Sequence, residues 1–215
     1  MFLEAITVGS MSVCCYILAC EETRQGVIID PGGDEDLILS RCKAEKIQVT
    51  AIINTHGHPD HVCANAPIKK ATGAEIIMSA EDAEFFGKPD VEQYFSILGL
   101  APSPKPDRLV KDGDLIEFGS ESLKVITTPG HTPGGICLYN PPNLFTGDTL
   151  FVGGVGRTDF PGGNGQQLFQ AIRDRLLILP GETVVWPGHG YGGDHSTLAA
   201  EIRTNPFLSD SSWAR

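Results

Sequence analysis

The densest group of side chains able to do chemistry lies between residues 56 and 61, where His56, His58, Asp60 and His61 follow an apolar stretch. His56 and His58 are two residues apart, so in an extended segment both imidazoles point the same way. Pro59 favours a turn that opens a helix and presents the next two side chains. Clustered imidazoles and carboxylates suit zinc, iron or manganese. The spacing therefore predicts a metal site.

Three further candidate ligands stand much later in the chain. His131, Asp148 and His189 each follow an apolar run and are flanked by glycine or proline. Each alone is a weak signal, since Gly-Asp-Thr is also compatible with a simple turn. Together with the first four they make seven candidate ligands on strand-end loops, where functional sites tend to lie.

Hydrophobic periodicity predicts the elements that must position these ligands. Apolar and β-branched runs predict strands at residues 2–7, 12–19, 26–30, 51–54, 75–78, 115–118, 123–127, 135–139, 144–146 and 183–186. Helices are predicted at residues 34–46, 64–71, 166–179 and 197–204. Two runs of strands, each accompanied by helices, predict an α/β fold: a four-layer αβ/βα sandwich with two mixed sheets face to face.

Residues 81–106 interrupt this alternation with aromatic side chains among charges, followed by a proline-rich stretch at 101–106. We expect two short helices and then a stiff segment. The aromatic side chains either cover the mouth of the active site or pack locally; they are Phe85, Phe86, Tyr94 and Phe95. The chain shows no repeat and no linker, so residues 1–215 are predicted to form one domain.

Charge and composition exclude several classes of function. The formal charge is −11 and no basic face is visible, which argues against nucleic-acid binding. Acidity argues against anionic membrane surfaces, and no stretch approaches the ~20 apolar residues of a membrane span. The six cysteines form no Cys-x-x-Cys pair, which argues against a structural zinc module. They are also too sparse for a disulfide scaffold, so we expect reduced thiols in a cytoplasmic protein. A small anionic substrate stays compatible, because a bound metal can dominate the local field.

The ordered motifs resemble those of the metallo-β-lactamase superfamily. They are His-x-His-x-Asp-His, then Pro-Gly-His, Gly-Asp and a second Pro-Gly-His, preceded by Asp30-Pro-Gly32. The resemblance implies one metal held by His56, His58 and His131. It implies a second metal held by Asp60, His61 and His189, with Asp148 bridging the two. The implied cofactors are two divalent ions, with zinc favoured and iron or manganese as alternatives.

Within this superfamily the chain is most similar to short, single-domain proteins of the glyoxalase II type and to persulfide dioxygenases. The segment Gly153-Gly-Val-Gly-Arg-Thr-Asp-Phe160 resembles a glutathione-contacting loop in both groups. The resemblance implies substrate contacts by Arg157 and by Tyr191, which follows the last ligand histidine. Many β-lactamases have cysteine where this chain has Asp148, so antibiotic hydrolysis is not favoured. If these two residues do not contact substrate, Arg157 is a charged residue on a surface loop and Tyr191 is an aromatic ring packed within its loop.

The predicted reaction is hydrolysis of a thioester such as S-lactoylglutathione by a metal-bridged hydroxide, with Asp60 and Asp148 as catalytic carboxylates. The partner is then a small thioester or glutathione-type molecule. Two alternatives are left open: an iron-dependent persulfide dioxygenase, and a lactonase of the same fold. Only about 25 residues follow His189, so we do not expect the helical glutathione domain of full-length glyoxalase II in this sequence. The oligomeric state is also open, with a homodimer among the options.

Overall fold

The computed structural model describes residues 1–209, so residues 210–215 of the predicted domain lie outside the described residues. The first half of the chain builds a six-stranded sheet whose spatial order follows the chain order. Its strands are β1 (Phe2–Val8), β2 (Val13–Ala19), β3 (Gln25–Ile29), β4 (Gln48–Ile53), β5 (Glu75–Ser79) and β6 (Arg108–Val110). The first three strands are antiparallel, and β3 to β6 are parallel.

The second half builds another six-stranded sheet, in the order β14-β13-β10-β9-β8-β7. Its strands are β7 (Leu115–Phe118), β8 (Glu121–Thr127), β9 (Ile136–Asn140), β10 (Asn143–Gly147), β13 (Val184–Pro187) and β14 (Ser196–Thr197). Between β10 and β13 lies a small hairpin of β11 (Leu150–Phe151) and β12 (Gly154–Val155). Only the β10–β13 pair of this sheet is parallel within the described residues.

Helices cover the outer face of each sheet. The first half contributes α1 (Glu35–Ala44), α2 (Pro59–Val62), α3 (Asn65–Thr72), α4 (Ala80–Phe86) and α5 (Pro89–Phe95), followed by a 3₁₀ turn at Ser96–Leu98. The second half contributes α6 (Gly165–Ala171) with a π-helical extension at Ile172–Leu176, then α7 (Leu198–Thr204) and α8 (Pro206–Ser209). In residues 1–209, no helix has the length and hydropathy needed to cross a membrane.

Three apolar clusters lie between the four layers. The central one joins the two sheets and contains Leu18, Ile53, Phe118 and Phe145, all with 1% or less of their surface exposed. A second cluster packs the first sheet against α1 and α3, and a third packs the second sheet against α6 and α7. All seven residues of β2 are buried, as expected for a strand covered on both faces. The predicted four-layer αβ/βα sandwich is thus confirmed.

The structure corrects the helix predicted at residues 166–179. Regular α-helix ends at Ala171, the π-helical extension ends at Leu176, and Leu179 lies in a turn. Pro180 follows directly and disfavours helical geometry in the residue before it. The apolar face is otherwise as predicted, because Leu168, Ile172 and Leu176 are buried in the third cluster.

The two short helices expected in residues 81–106 are present as α4 and α5. Ser79 caps α4 by accepting a hydrogen bond from the backbone N–H of Asp82. The proline-rich segment 101–106 contains neither helix nor strand. Strand β6 was not predicted, because its three residues are too few to show periodicity.

Candidate metal centre

The seven candidate ligands meet at one edge of the two sheets. Four of them lie on the loop after β4 and on the short helix α2, which begins at Pro59 as its sequence indicates. The other three lie on the loop between β8 and β9, directly after β10 and two residues after the end of β13. Six of the seven are buried, and Asp148 is largely buried. The fold therefore gathers side chains that are up to 133 residues apart in the chain.

The first group of ligands is His56, His58 and His131, whose nearest nitrogen atoms all lie within 4.8 Å of one another. His58 Nδ1 and His131 Nε2 are 2.9 Å apart. Two ligand atoms held at about 2.1 Å from one zinc ion lie about 3.4 Å apart in a tetrahedral site. The spacing of the three imidazoles is therefore close to that of a metal-binding group.

The second group is Asp60, His61 and His189, with ligand atoms again within 4.8 Å of one another. Asp60 Oδ2 lies 3.6 Å from His61 Nε2 and 3.5 Å from His189 Nε2. Two imidazoles and one carboxylate form a donor set that suits zinc, iron or manganese.

Asp148 lies between the two groups. Its Oδ1 is 3.5 Å from His61 Nε2 in the second group. Its Oδ2 is 3.5 Å from His131 Nε2 in the first group and 3.6 Å from His189 Nε2 in the second. A Cβ atom at Gly188 would lie 2.2 Å from Asp148 Oδ1, so only glycine leaves room for this carboxylate. Asp148 is thus within reach of both ligand groups.

The hydrogen bonds of the histidines leave lone pairs directed at the shared centre. His61 Nδ1 donates to Asp30 Oδ2 at 3.0 Å, which leaves Nε2 free as a ligand. Thr55 Oγ1 donates its hydrogen to Asp30 Oδ2. It therefore accepts a hydrogen bond from His56 Nδ1, which lies 3.1 Å away. His56 Nε2 then has no hydrogen-bond partner among residues 1–209.

The first group is oriented by a backbone carbonyl. His131 Nδ1 donates to the carbonyl oxygen of Arg157 at 2.7 Å, so its Nε2 faces the centre. Asp148 Oδ1 is buried and has no hydrogen-bond partner in the described part of the chain. A buried carboxylate oxygen without a donor is costly unless a cation approaches it. The residues present therefore fit divalent metal ions.

Electrostatics of the ligands agree with this fit. Burial lowers the pKa of His56 and His58 well below the ordinary histidine value, so both rings are neutral and can coordinate. Burial opposes ionisation of Asp60, but the neighbouring His61 brings its pKa below the ordinary value. Burial likewise opposes protonation of His61, but the carboxylates of Asp148 and Asp60 raise its pKa to about 10. Without a metal, a proton on His61 offsets the carboxylate charge that a cation would otherwise neutralise.

The sequence did not reveal what Asp30 and Asp82 do. Asp30 belongs to the recognised Asp-Pro-Gly motif, but its hydrogen bonds to Thr55 and His61 come from residues 25 and 31 positions away. Asp82 is fully buried and joins two ligand loops. Its only sequence signal is its position three residues after Ser79, which indicates a helix N-terminus and nothing about a metal centre.

The predicted substrate residues Arg157 and Tyr191 line a groove of about 350 Å³ beside Asp148. The other lining residues are Phe151, Val152, Gly153, Gly154, Val155 and Gly192. The Tyr191 ring stacks on His189 at 4.9 Å and is 73% exposed. The Arg157 guanidinium donates twice to Asp159, at 2.7 Å each, and lies 3.8 Å above the Phe160 ring. The groove is mainly apolar with one cation at its rim.

An aromatic wall lies on the other side of the centre, against His58. The rings of Phe86, Phe95 and Phe160 have centroids 5.3, 5.1 and 5.7 Å from that imidazole. The first two belong to α4 and α5, within the segment 81–106. Tyr94 is half exposed and contacts both Phe95 and Phe160 at the outer edge of the wall.

Comparisons with known proteins agree with this arrangement. The chain is 34% identical to hydroxyacylglutathione hydrolase GloC of Haemophilus influenzae, with 99% of this chain and 100% of that protein covered. Among solved structures, the B3 metallo-beta-lactamase BLEG-1 superposes with a TM-score of 0.88 at 29% identity, covering 97% of this chain and all of that one.

Two further solved structures are similar over most of their length. ETHE1 from Myxococcus xanthus gives a TM-score of 0.84 at 32% identity, with 100% of this chain and 87% of that one covered. A di-iron-bound form of TTHA1623 gives a TM-score of 0.82 at 36% identity, with 95% and 100% covered. The family model described as the metallo-beta-lactamase superfamily matches residues 9–189. The chain therefore belongs to the metallo-beta-lactamase superfamily.

Proposed function

We propose that this protein is a binuclear metallohydrolase that cleaves a thioester such as S-lactoylglutathione. The observation that carries the proposal is the position of Asp148, whose carboxylate oxygens lie within 3.6 Å of ligand nitrogens in both three-ligand groups. All seven ligands would take part: His56, His58 and His131 at one ion, Asp60, His61 and His189 at the other, and Asp148 at both. The similarity to GloC and to a di-iron protein supports this proposal.

Two divalent ions in such a site supply Lewis acidity and lower the pKa of a bound water towards 7. The protein's own contribution is positional. Asp60 has a lowered pKa and stays ionised near neutral pH, so it offers an anionic ligand to the second ion, although the same shift makes it a weak proton acceptor. A thiolate is a good leaving group, so a thioester hydrolase does not need a strong general acid.

Arg157 and Tyr191 are proposed to bind the substrate in the groove beside Asp148. The Nε and Nη2 atoms of Arg157 already donate to Asp159, so a substrate carboxylate would be held by the remaining N–H groups of the guanidinium. Tyr191 offers an exposed ring and hydroxyl next to His189. The apolar remainder of the groove suits an uncharged part of the substrate, so an anionic group is expected only at one end.

We also propose that residues 81–106 cover the active site. The rings of Phe86 and Phe95 lie against His58 and remove solvent from that side of the first group. Exclusion of water strengthens electrostatic interactions inside a site. The open side of the centre is then the groove, from which the substrate would enter.

A second candidate function is an iron-dependent persulfide dioxygenase, and the similarity to ETHE1 from M. xanthus favours it. That chemistry needs an ion that exchanges electrons with oxygen, which zinc does not do. The complete second group is the feature that favours hydrolysis. A dioxygenase with one iron, held mainly by His56, His131 and Asp148, would leave the second group of Asp60, His61 and His189 without a ligand role.

The deciding experiment combines metal analysis with two assays on the same preparation. Protein loaded with zinc and protein loaded with iron are tested for anaerobic hydrolysis of S-lactoylglutathione and for oxygen uptake with glutathione persulfide. We expect two metals per chain and anaerobic hydrolysis with zinc. Oxygen uptake without thioester cleavage under any metal would refute the proposal. A β-lactam and a lactone serve as control substrates, since turnover of either in preference to the thioester would assign a different hydrolase activity.

A further inference from the structure

The buried carboxylate of Asp82 is hydrogen-bonded to two loops of the metal centre, yet the proposed chemistry gives it no role. It belongs to α4, is fully buried and accepts three hydrogen bonds. Oδ2 accepts from the backbone N–H of Gly57 at 2.9 Å and from Thr132 Oγ1 at 2.8 Å. Oδ1 accepts from the backbone N–H of Gly134 at 2.6 Å. All three donors are neutral, so burial raises the pKa of Asp82 to about 6 despite these bonds.

The donors belong to two loops that carry the first group of ligands. Gly57 lies between His56 and His58, on the loop after β4 of the first sheet. Thr132 and Gly134 follow His131, on the β8–β9 loop of the second sheet. A backbone hydrogen bond from Ile136 to Thr55 also connects the loops, but it lies at their base, next to the strands. Asp82 connects them beside the ligands themselves.

The fit around Asp82 leaves little freedom. A Cβ atom at Gly134 would lie 2.4 Å from the Asp82 backbone nitrogen, so the β8–β9 loop is in direct contact with α4. A Cβ atom at Gly57 would lie 2.3 Å from the ring of Phe86, one helical turn further along α4. Helix α4 therefore contacts both loops through Asp82, and its Phe86 ring also packs against the loop after β4.

We propose that Asp82 is a positioning residue for the first metal: its carboxylate holds the loops of His56, His58 and His131 at ligand distance. The inference rests on the binuclear site proposed above. An asparagine cannot replace this carboxylate, because both oxygens face N–H groups. With its NH₂ at the Oδ1 position it would face the N–H of Gly134. In the other orientation it would face the N–H of Gly57. Asp82→Asn therefore loses at least one bond and gains a donor–donor contact.

The test measures metal binding by the full chain rather than activity. Zinc is titrated into metal-free protein in competition with a chromophoric chelator, which gives a Kd for each site. Loss of groups that orient metal ligands typically weakens binding about 10- to 100-fold. We expect Asp82→Asn to raise one Kd by that factor and to leave the other within about twofold. The affected Kd should be the one that His58→Ala abolishes. The visible spectrum of cobalt in that site should change as well.

Glu201→Gln is the matched control. Glu201 is 1% exposed and also accepts three hydrogen bonds, from Gly153 N, Ser196 Oγ and Asn205 Nδ2. None of these donors is next to a proposed ligand in the sequence. We expect it to lower thermal stability about as much as Asp82→Asn and to leave both zinc Kd values unchanged. This variant thus separates a general effect on folding from an effect on the metal.

Each outcome decides the inference. If Asp82→Asn is less stable but both Kd values are unchanged, Asp82 is only structural and the inference is wrong. If wild-type protein binds fewer than two ions, the binuclear proposal fails. The inference about Asp82 is then tested by the Kd of the single site, provided that His58→Ala abolishes binding there. If Asp82→Asn does not fold, Thr132→Val is used in its place. Valine has nearly the shape of threonine, so this variant removes only the hydrogen bond from Thr132 Oγ1 to Asp82. We expect it to weaken the same site about threefold to tenfold, and an unchanged Kd would again overturn the inference.

Discussion

Replacing Asp148 by alanine should weaken both metal sites at once, because its oxygens face both ligand groups. With free metal at 100 times Kd, two sites stabilise the folded chain by about 5 kcal/mol. A 100-fold rise in both Kd values at the same metal concentration leaves roughly 1 kcal/mol. The loss of about 4–5 kcal/mol corresponds to a fall in Tm of about 8–20 °C for a chain of this size. Differential scanning fluorimetry with and without zinc measures this difference.

The control is Asp174→Ala, which removes an exposed carboxylate from the π-helical extension after α6, far in sequence from every ligand. Its zinc-dependent rise in Tm should equal that of the wild type. The reasoning about Asp148 would be refuted if the Asp148→Ala variant kept one site at wild-type affinity. It would also be refuted if fully loaded wild-type protein contained a single metal ion by elemental analysis.

Three further predictions follow from single side chains. Arg157→Ala should raise KM about tenfold with little change in kcat, measured on the best thioester, since one charged hydrogen-bonded contact is lost. Asp30→Asn should weaken zinc binding about 10- to 100-fold in a chelator titration, because Asp30 orients His61 and, through Thr55, His56. Phe145→Ala should destabilise metal-free protein by about 3–5 kcal/mol in urea unfolding, because this ring is fully buried between the sheets. Unchanged values would refute each of these assignments.

The layers of the fold could be predicted because each strand and helix carries its own periodic apolar pattern. Residues 13–19 are almost entirely apolar and form the fully buried β2. The elements that were not predicted are short: β6 has three residues, and β11, β12 and β14 have two each. Strands β6 and β14 form by pairing with residues further away in the chain, as when Val184 pairs with Thr197, whereas β11 and β12 pair with each other in a short hairpin. Local sequence does not contain that information.

The candidate ligands could be predicted from residue type and from the glycine and proline residues beside them. The residues that orient the ligands could not, because their roles depend on contacts between distant parts of the chain. Asp82 meets Gly57 and Gly134 across 25 and 52 positions. Its sequence neighbourhood resembles any capped helix. The ion pair between Arg157 and Asp159 depends less on the fold, because the two residues are only two positions apart in the sequence.

The segment at residues 153–160 resembles a glutathione-contacting loop of both glyoxalase II-like hydrolases and persulfide dioxygenases, but its Gly-Arg-Thr-Asp-Phe string is the one that persulfide dioxygenases share, and it favours that alternative. The carbonyl of Arg157 orients His131, and the ring of Phe160 lies against His58. The string therefore supports the first metal group, which both chemistries require. It carries no information about the second group. The discriminating residues are Asp60, His61 and His189, because they have a ligand role only if a second ion is bound.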